Sequence, residues 1–178
     1  MPVFTVGHST RSLDELVALL REHGVEVLAD VRTAPGSRRL PHFSRPALEA
    51  LLPPRGLGYV HLPELGGFRR PRPDSPNDGW QNRSFRGYAD YMSTPEWRAG
   101  LDRLLTLAAA RRVAAMCAEA QPWRCHRSLI ADALVACGLS VMHLLGPSEA
   151  SAHRLTPFAV VTDSRISYPA PDRLPLDG

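Results

Sequence analysis

The stretch Val113-Ala114-Ala115-Met116-Cys117-Ala118-Glu119-Ala120-Gln121-Pro122-Trp123-Arg124-Cys125-His126-Arg127-Ser128 decides the fold. Its first residues are a short apolar run bounded by polar sequence, the signature of a buried strand. From Arg127 onward, Leu129, Ile130, Ala133, Leu134 and Cys137 recur at helical spacing, and Gly138 closes the pattern. The stretch therefore reads as strand, turn, helix. Its turn holds two of the three cysteines, a carboxylate, an imidazole and two guanidinium groups. Neither packing nor turn chemistry calls for that set.

The same alternation continues in both directions. Pro2 to Val6 reads as a first strand, and Ser12 with Glu15 forms a capping box for the helix that follows. Val25 to Val31, Gly58 to Leu62 and Leu139 to Leu144 read as further strands. Ser44 caps a short helix, and Thr94-Pro95-Glu96 opens a longer one. Five apolar strands alternating with helices predict a single three-layer α/β domain over 1–146, with a mostly parallel five-stranded sheet and helices on both faces. Residues 68–83 form a long polar loop, a length that is usually functional or disordered. After Gly146 periodicity fades and prolines recur, so 147–178 is expected to be a Pro-rich tail, extended or partly disordered.

The chain of 178 residues is long enough for one sizeable core. No apolar run is long enough to span a bilayer, and the N-terminus lacks a basic leader pattern. Three cysteines, an odd number, do not suggest a disulfide scaffold. A cytoplasmic location is expected, with no membrane partner. The formal net charge is +3, and every basic residue is Arg or His because the chain has no Lys. Schiff-base and P-loop lysine chemistries are thereby excluded. Anion contacts must use guanidinium forks or backbone N–H groups. No G-x-G-x-x-G follows the first strand, which speaks against dinucleotide-dependent hydride transfer.

The unusual polar residues follow the carboxyl ends of the strands. His8 and Ser9 follow the first; Asp30 and Arg32 close the second; His61 and Glu64 end the third; Cys117, Glu119, Cys125, His126 and Arg127 follow the fourth. In a parallel sheet those ends share one edge, where ligands bind.

These residues carry a resemblance. Gly7-His8-Ser9, Asp30-Val31-Arg32, Pro41, Phe43, Tyr59 and His61-Leu62-Pro63-Glu64-Leu65-Gly66-Gly67 belong to it. So do Phe85-Arg86-Gly87-Tyr88 and Cys117-Ala118-Glu119 through Cys125-His126-Arg127. Over about residues 3–145 the chain resembles the bacterial domain-of-unknown-function family 488. The resemblance implies membership; the family's name assigns no activity.

The residues themselves support several chemistries. Glu119 and His8, with Asp30 as a partner, are candidates for proton transfer. Cys125 sits near a helix N-terminus among cations, which favours thiolate; with Cys117 it is a candidate nucleophile, metal ligand or redox pair. Taken alone, Cys117 reads as a small buried hydrophobe, and Cys137 as structural. Glu119 is alternatively a structural partner of Arg127, and Asp30 with Arg32 an internal ion pair. Arg32, Arg38, Arg39 and Arg127 are candidate anion contacts. Ser9, His61 and Glu64 would complete the binding set, and Trp80, Phe85, Tyr88 and Trp123 are candidate stacking surfaces. A Cys117-to-Arg124 phosphatase-like loop lacks the expected glycines, and Glu119 would repel phosphate. Zinc on Cys117, Cys125 and His126 with His8 is a weak option, because no C-x-x-C pair is present and no cofactor is otherwise indicated.

The expected function is a hydrolase or group transferase acting on a nucleotide-, nucleic-acid- or other phosphate-bearing substrate. One alternative is a nucleic-acid-binding module without catalysis, using Arg38-Arg39 and the arginine-rich 68–86 segment. A second is a thiol or metal redox sensor. Nothing in the sequence sets the oligomeric state.

Overall fold

Val3–Gly7 (β1), Val27–Asp30 (β2), Gly58–His61 (β3), Val113–Cys117 (β4) and Val141–Gly146 (β5) run parallel in one sheet. Glu149–Ala152 (β6) adds an antiparallel sixth strand to the β5 edge, one more than the sequence predicts. The strand order is β3-β2-β4-β1-β5-β6 in the computed structural model, which describes residues 1–173. All residues of β1, β2 and β4 are buried, as expected for strands covered on both faces.

Leu13–Glu22 (α1) and Arg45–Leu51 (α2) cover one face. The predicted capping box forms in full: Ser12 accepts from the Glu15 N–H, and the Glu15 carboxylate accepts from the Ser12 N–H. Leu16 and Leu20 are fully buried against Phe4, Val6, Leu28 and Met116. Each such leucine contributes about 1.5–3 kcal/mol of transfer free energy. Arg83–Tyr91 (α3), Pro95–Ala110 (α4) and Arg127–Ala136 (α5) cover the other face, around Tyr88, Trp97, Leu101, Leu104 and Ile130.

This division follows from handedness. Crossovers between parallel strands are right-handed. From β1 the chain moves through α1 to β2 and on through α2 to β3, toward one edge; from β3 it returns to β4, and from β4 it crosses β1 to reach β5. Reversing the direction moves the helices to the opposite face. The neighbours β1 and β4 therefore send their chains to opposite sides, and a crevice opens at their carboxyl ends.

Residues 147–173 depart from the expected loose tail. Beyond β6, Val160–Thr162 (β7) and Arg165–Ser167 (β8) form a hairpin, and Tyr168 is fully buried. Its hydroxyl donates to Asp132 at 2.8 Å. The pattern escapes a periodicity reading because every residue of β6 is exposed and one tyrosine anchors the segment. Residues 174–178 of that tail lie outside the described residues.

The long loop is also fixed. The buried Asp90 carboxylate accepts from the Arg72 N–H, the Ser75 hydroxyl and the Asn77 amide, and the Asn77 oxygen accepts from the Tyr168 N–H. Among the described residues, no helix is long and apolar enough to cross a membrane.

Candidate functional site

Cys117 is the last residue of β4 and lies opposite Gly7 of β1. A Cβ on Gly7 would sit 1.8 Å from the Glu119 carbonyl oxygen, so glycine there lets the 118–126 loop fold directly over the strand ends. A single turn at Pro122–Arg124 brings Cys125 back over Cys117, and α5 begins two residues later. The two Sγ atoms are 2.8 Å apart, and neither is in a disulfide.

Arg127 is completely buried. Its Nη1 donates to the Cys117 sulfur at 3.4 Å and its Nη2 to the Ala120 carbonyl at 3.2 Å, while its Nε has no partner. No carboxylate pairs with it among the described residues. A guanidinium cannot shed its proton, and an unpaired buried charge is costly. The anion available to it is the Cys117 thiolate. The Cys125 S–H donates to Cys117, and this, with the Arg127 charge, lowers the Cys117 pKa against the opposing effect of burial. Cys125 moves the other way: its proton is held by Cys117, and burial disfavours a second thiolate. Of the two, Cys117 is therefore the sulfur that ionises first. The Arg127 N–H at the start of α5 also points at the Cys125 sulfur, at 3.4 Å.

His126 flanks the pair. Its Nε2 donates to the Val31 carbonyl at 3.0 Å, leaving Nδ1 as an acceptor 3.4 Å from the Cys125 sulfur. The one S–H of Cys125 thus has two acceptors in reach. Burial, opposed by the Val31 carbonyl, pushes the His126 pKa down to about 4.

On the other side of the crevice, Asp30 is fully buried and takes a two-pronged contact from Arg32, at 2.8 and 2.6 Å. The Tyr59 hydroxyl donates to the same carboxylate at 2.5 Å; burial, then that bond, raises the Tyr59 pKa. Arg32 Nη2 also reaches the Phe43 carbonyl, and Nη1 points at His8 Nε2 at 3.3 Å. His8 donates through Nδ1 to the Ser9 carbonyl and stacks on Phe43, with centroids 4.3 Å apart. Burial lowers its pKa, and both of its nitrogens are engaged.

Between these groups lies a cavity of about 530 Å³. His8, Arg32, Tyr88, Cys117, Glu119, Cys125 and His126 line it, seven of the residues singled out in the sequence. Tyr88 is fixed by its hydroxyl, which donates to the Leu65 carbonyl and accepts from the Trp97 indole. Glu119 is exposed at the rim and accepts from the Gln121 N–H; it does not pair with Arg127. Asp30 stands one step behind Arg32, and Arg127 lies beneath the sulfurs. Ser9, His61, Glu64 and Trp123 fall outside the cavity lining. His61 bonds the Arg32 carbonyl, Glu64 pairs with Arg103 at 2.9 Å, and Trp123 faces a separate open cavity beside His143 and His153. Among the described residues, no group of three or more His, Cys, Asp or Glu side chains is arranged to hold a metal ion.

Sequence reasoning missed several groups. Phe68, Asn82 and Ser84 line the cavity, beside Arg124, which the sequence placed only at the end of a disfavoured Cys117-to-Arg124 loop. A buried chain also runs under α5: Thr5 to His143 at 2.6 Å, His143 to His153 at 2.9 Å, His153 to Asp132 at 2.7 Å. Burial, then His153 and Arg127, pushes the His143 pKa down to about 4.

The doubly covered parallel sheet with a thiol pair at its carboxyl edge defines an α/β protein with one cysteine-centred site. The family model for the domain of unknown function DUF488 matches residues 12–134, and the chain belongs to that family. No curated protein and no solved structure matches the chain.

Proposed function

We propose that the protein is a cytoplasmic enzyme of the hydrolase or group-transfer kind, with the Cys117 thiolate as nucleophile and a phosphate-bearing substrate in the carboxyl-edge cavity. The observation that carries this reading is the fully buried Arg127, whose available counter-ion is the Cys117 sulfur. A thiolate is the nucleophilic form of cysteine, and a cation beside it keeps it ionised near neutrality. In the reaction the sulfur bonds to the electrophilic carbon or phosphorus. The leaving group departs with its electron pair and takes the Cys125 proton. Water or an acceptor then displaces the sulfur, Glu119 at the rim accepts its proton, and that proton returns to Cys125.

Iodoacetamide alkylation of Cys117 across a pH series tests the thiolate. Reactivity should persist well below the ordinary thiol pKa, and Arg127→Met should move the profile upward. A wild-type profile that inflects at or above the ordinary value would remove the basis for the nucleophile.

A second reading, a redox sensor, is favoured by the 2.8 Å between the two sulfurs. Glutathione disulfide would form a mixed disulfide at Cys117 and release one glutathione thiolate. Cys125 would then displace the second glutathione and close an internal disulfide. Intact mass after exposure reads this as the loss of two hydrogens. A nucleic-acid-binding role without catalysis would instead appear as steeply salt-dependent binding that survives Cys117→Ser and Glu119→Ala.

A further inference from the structure

We infer that the cavity takes a nucleoside phosphate, with its base stacked on Phe68 and its phosphate held by Arg124. This rests on the substrate reading above and narrows it. Phe68 is 98% exposed and sits at φ 61, backbone that a bulky side chain rarely adopts. It is held there by the chain before it. A Cβ on Gly66 would meet Thr33 Oγ1 at 2.3 Å and one on Gly67 would meet His126 Nδ1 at 2.9 Å; the Thr33 hydroxyl donates to the Gly67 carbonyl at 3.1 Å. The glycines are clamped against β2's exit loop and against the thiol site, so the ring is projected into the cavity mouth by packed backbone. Non-glycine residues in such backbone concentrate at ligand clamps. An exposed aromatic ring with its face free is also what a base requires, because base–aromatic stacking needs no particular hydrogen-bond pattern. Phe85 supplies a second apolar wall, itself braced edge-on against Trp80 at 5.0 Å.

The lining carries one available cation. Arg124 lines the cavity, is exposed, and has no carboxylate partner among the described residues, whereas the other lining arginine, Arg32, is engaged by Asp30. Glu119 is the one carboxylate of the lining. Guanidinium forks match phosphate oxygens. A flat, exposed ring and an unpartnered guanidinium in one cavity fit a phosphate joined to an aromatic base better than a bare phosphate or a sugar phosphate.

Two readouts test this on the full chain. The first is equilibrium dialysis of labelled adenosine 5′-monophosphate, competed with ribose 5-phosphate, adenosine or a ten-nucleotide thymidylate strand. The second is the slowing of Cys117 alkylation by the same compounds, each variant being referred to its own unprotected rate. The monophosphate should bind at least about tenfold more tightly than ribose 5-phosphate or adenosine. Phe68→Ala should abolish that margin over ribose 5-phosphate, and Arg124→Ala should weaken the phosphate-bearing ligands alone. A strand that binds more tightly than the mononucleotide identifies nucleic acid as the source of the nucleoside phosphate; otherwise the source is a free nucleotide. Equal binding of the monophosphate and ribose 5-phosphate, or a margin that survives Phe68→Ala, would overturn the inference. Dialysis does not depend on the thiol. An unreactive Cys117 with intact nucleotide binding would therefore defeat the nucleophile alone, whereas a reactive Cys117 without nucleotide binding would defeat the ligand alone.

Discussion

Arg127 Nη1 lies 3.4 Å from Cys117 Sγ, and that sulfur is the one ionisable side chain to which the completely buried guanidinium donates among the described residues. Removing the sulfur leaves a buried charge with a carbonyl as its remaining partner. Cys117→Ala should therefore destabilise the fold by about 3 kcal/mol, far more than loss of one small side chain. Urea unfolding of Cys117→Ala beside Cys125→Ala checks this. Equal, small losses for both would show that Arg127 does not depend on the thiolate.

The depressed Cys117 thiol should make stability rise with pH up to the ordinary thiol range, above which the raised Cys125 thiol opposes it. The Cys117 pKa is lowered by the Cys125 S–H, with Arg127 helping. A group with a depressed folded pKa contributes stability that is complete above its unfolded value and lost as pH falls through the folded one. The thiolate contribution should thus grow between its depressed pKa and about pH 9, and be absent in Cys117→Ala. Unfolding free energies at pH 7 and pH 9 measure it as the difference between the two proteins.

Acid has a separate target. His126 and His143 are held neutral, each with its pKa pushed down to about 4 by burial. Below about pH 6.5 the unfolded chain takes up protons that the folded chain refuses. Stability should fall with acid across the window from about 6.5 to 4, approaching 2.7 kcal/mol per pH unit if both histidines contribute fully. A flat unfolding free energy between pH 6.5 and 5 would contradict the buried neutral state.

Gly7 should tolerate no side chain. Its Cβ would overlap the Glu119 carbonyl, whose carbon lies 2.5 Å away, so Gly7→Ala must push the 118–126 loop off the sheet. A loss of about 3 kcal/mol is expected, together with slower alkylation of Cys117 as the loop moves. Normal thiol reactivity in a folded Gly7→Ala protein would mean that the loop does not set the site.

The segment after β5 should be required for stability. Asp132 is fully buried and is satisfied by His153, Thr156 and Tyr168, all beyond Gly146. Tyr168→Phe should cost about 1.5–3 kcal/mol, the loss of one hydrogen bond to a carboxylate. Truncation after Gly146 should be much worse, because it strands the carboxylate. Thermal unfolding of the two variants separates a structural segment from a dispensable one.

Strand positions were legible because β1, β2 and β4 are short apolar runs punctuated by polar turns, and the polar residues at their ends reported the edge of a parallel sheet. Cys117 and Cys125 were legible as a candidate redox pair because one short loop carries both; their direct contact depends on how the 118–126 loop folds, which no spacing rule encodes. The burial of Arg127 left a faint trace: it lies three residues before Ile130 and seven before Leu134, on the helix's apolar stripe, but a charge at a helix start reads as solvent-facing. Phe68 left none, since its role depends on a backbone angle that the sequence does not display. The packing of 147–173 rests on Tyr168 and on isolated polar contacts instead of a repeating pattern.

The opposed paths of the chain from β1 and β4 have one more consequence. The cavity's walls come from separate crossover loops: residues 32–40 after β2, 67–68 after β3 and 117–126 after β4. Each loop is tied to its own strand and helix. The 117–126 loop carries both sulfurs, and the 67–68 segment packs on its His126 and on Thr33, so those walls move with the thiol site. The exposed residues 36–39 are the part of the wall that can change while the strands and the sulfur pair stay in place.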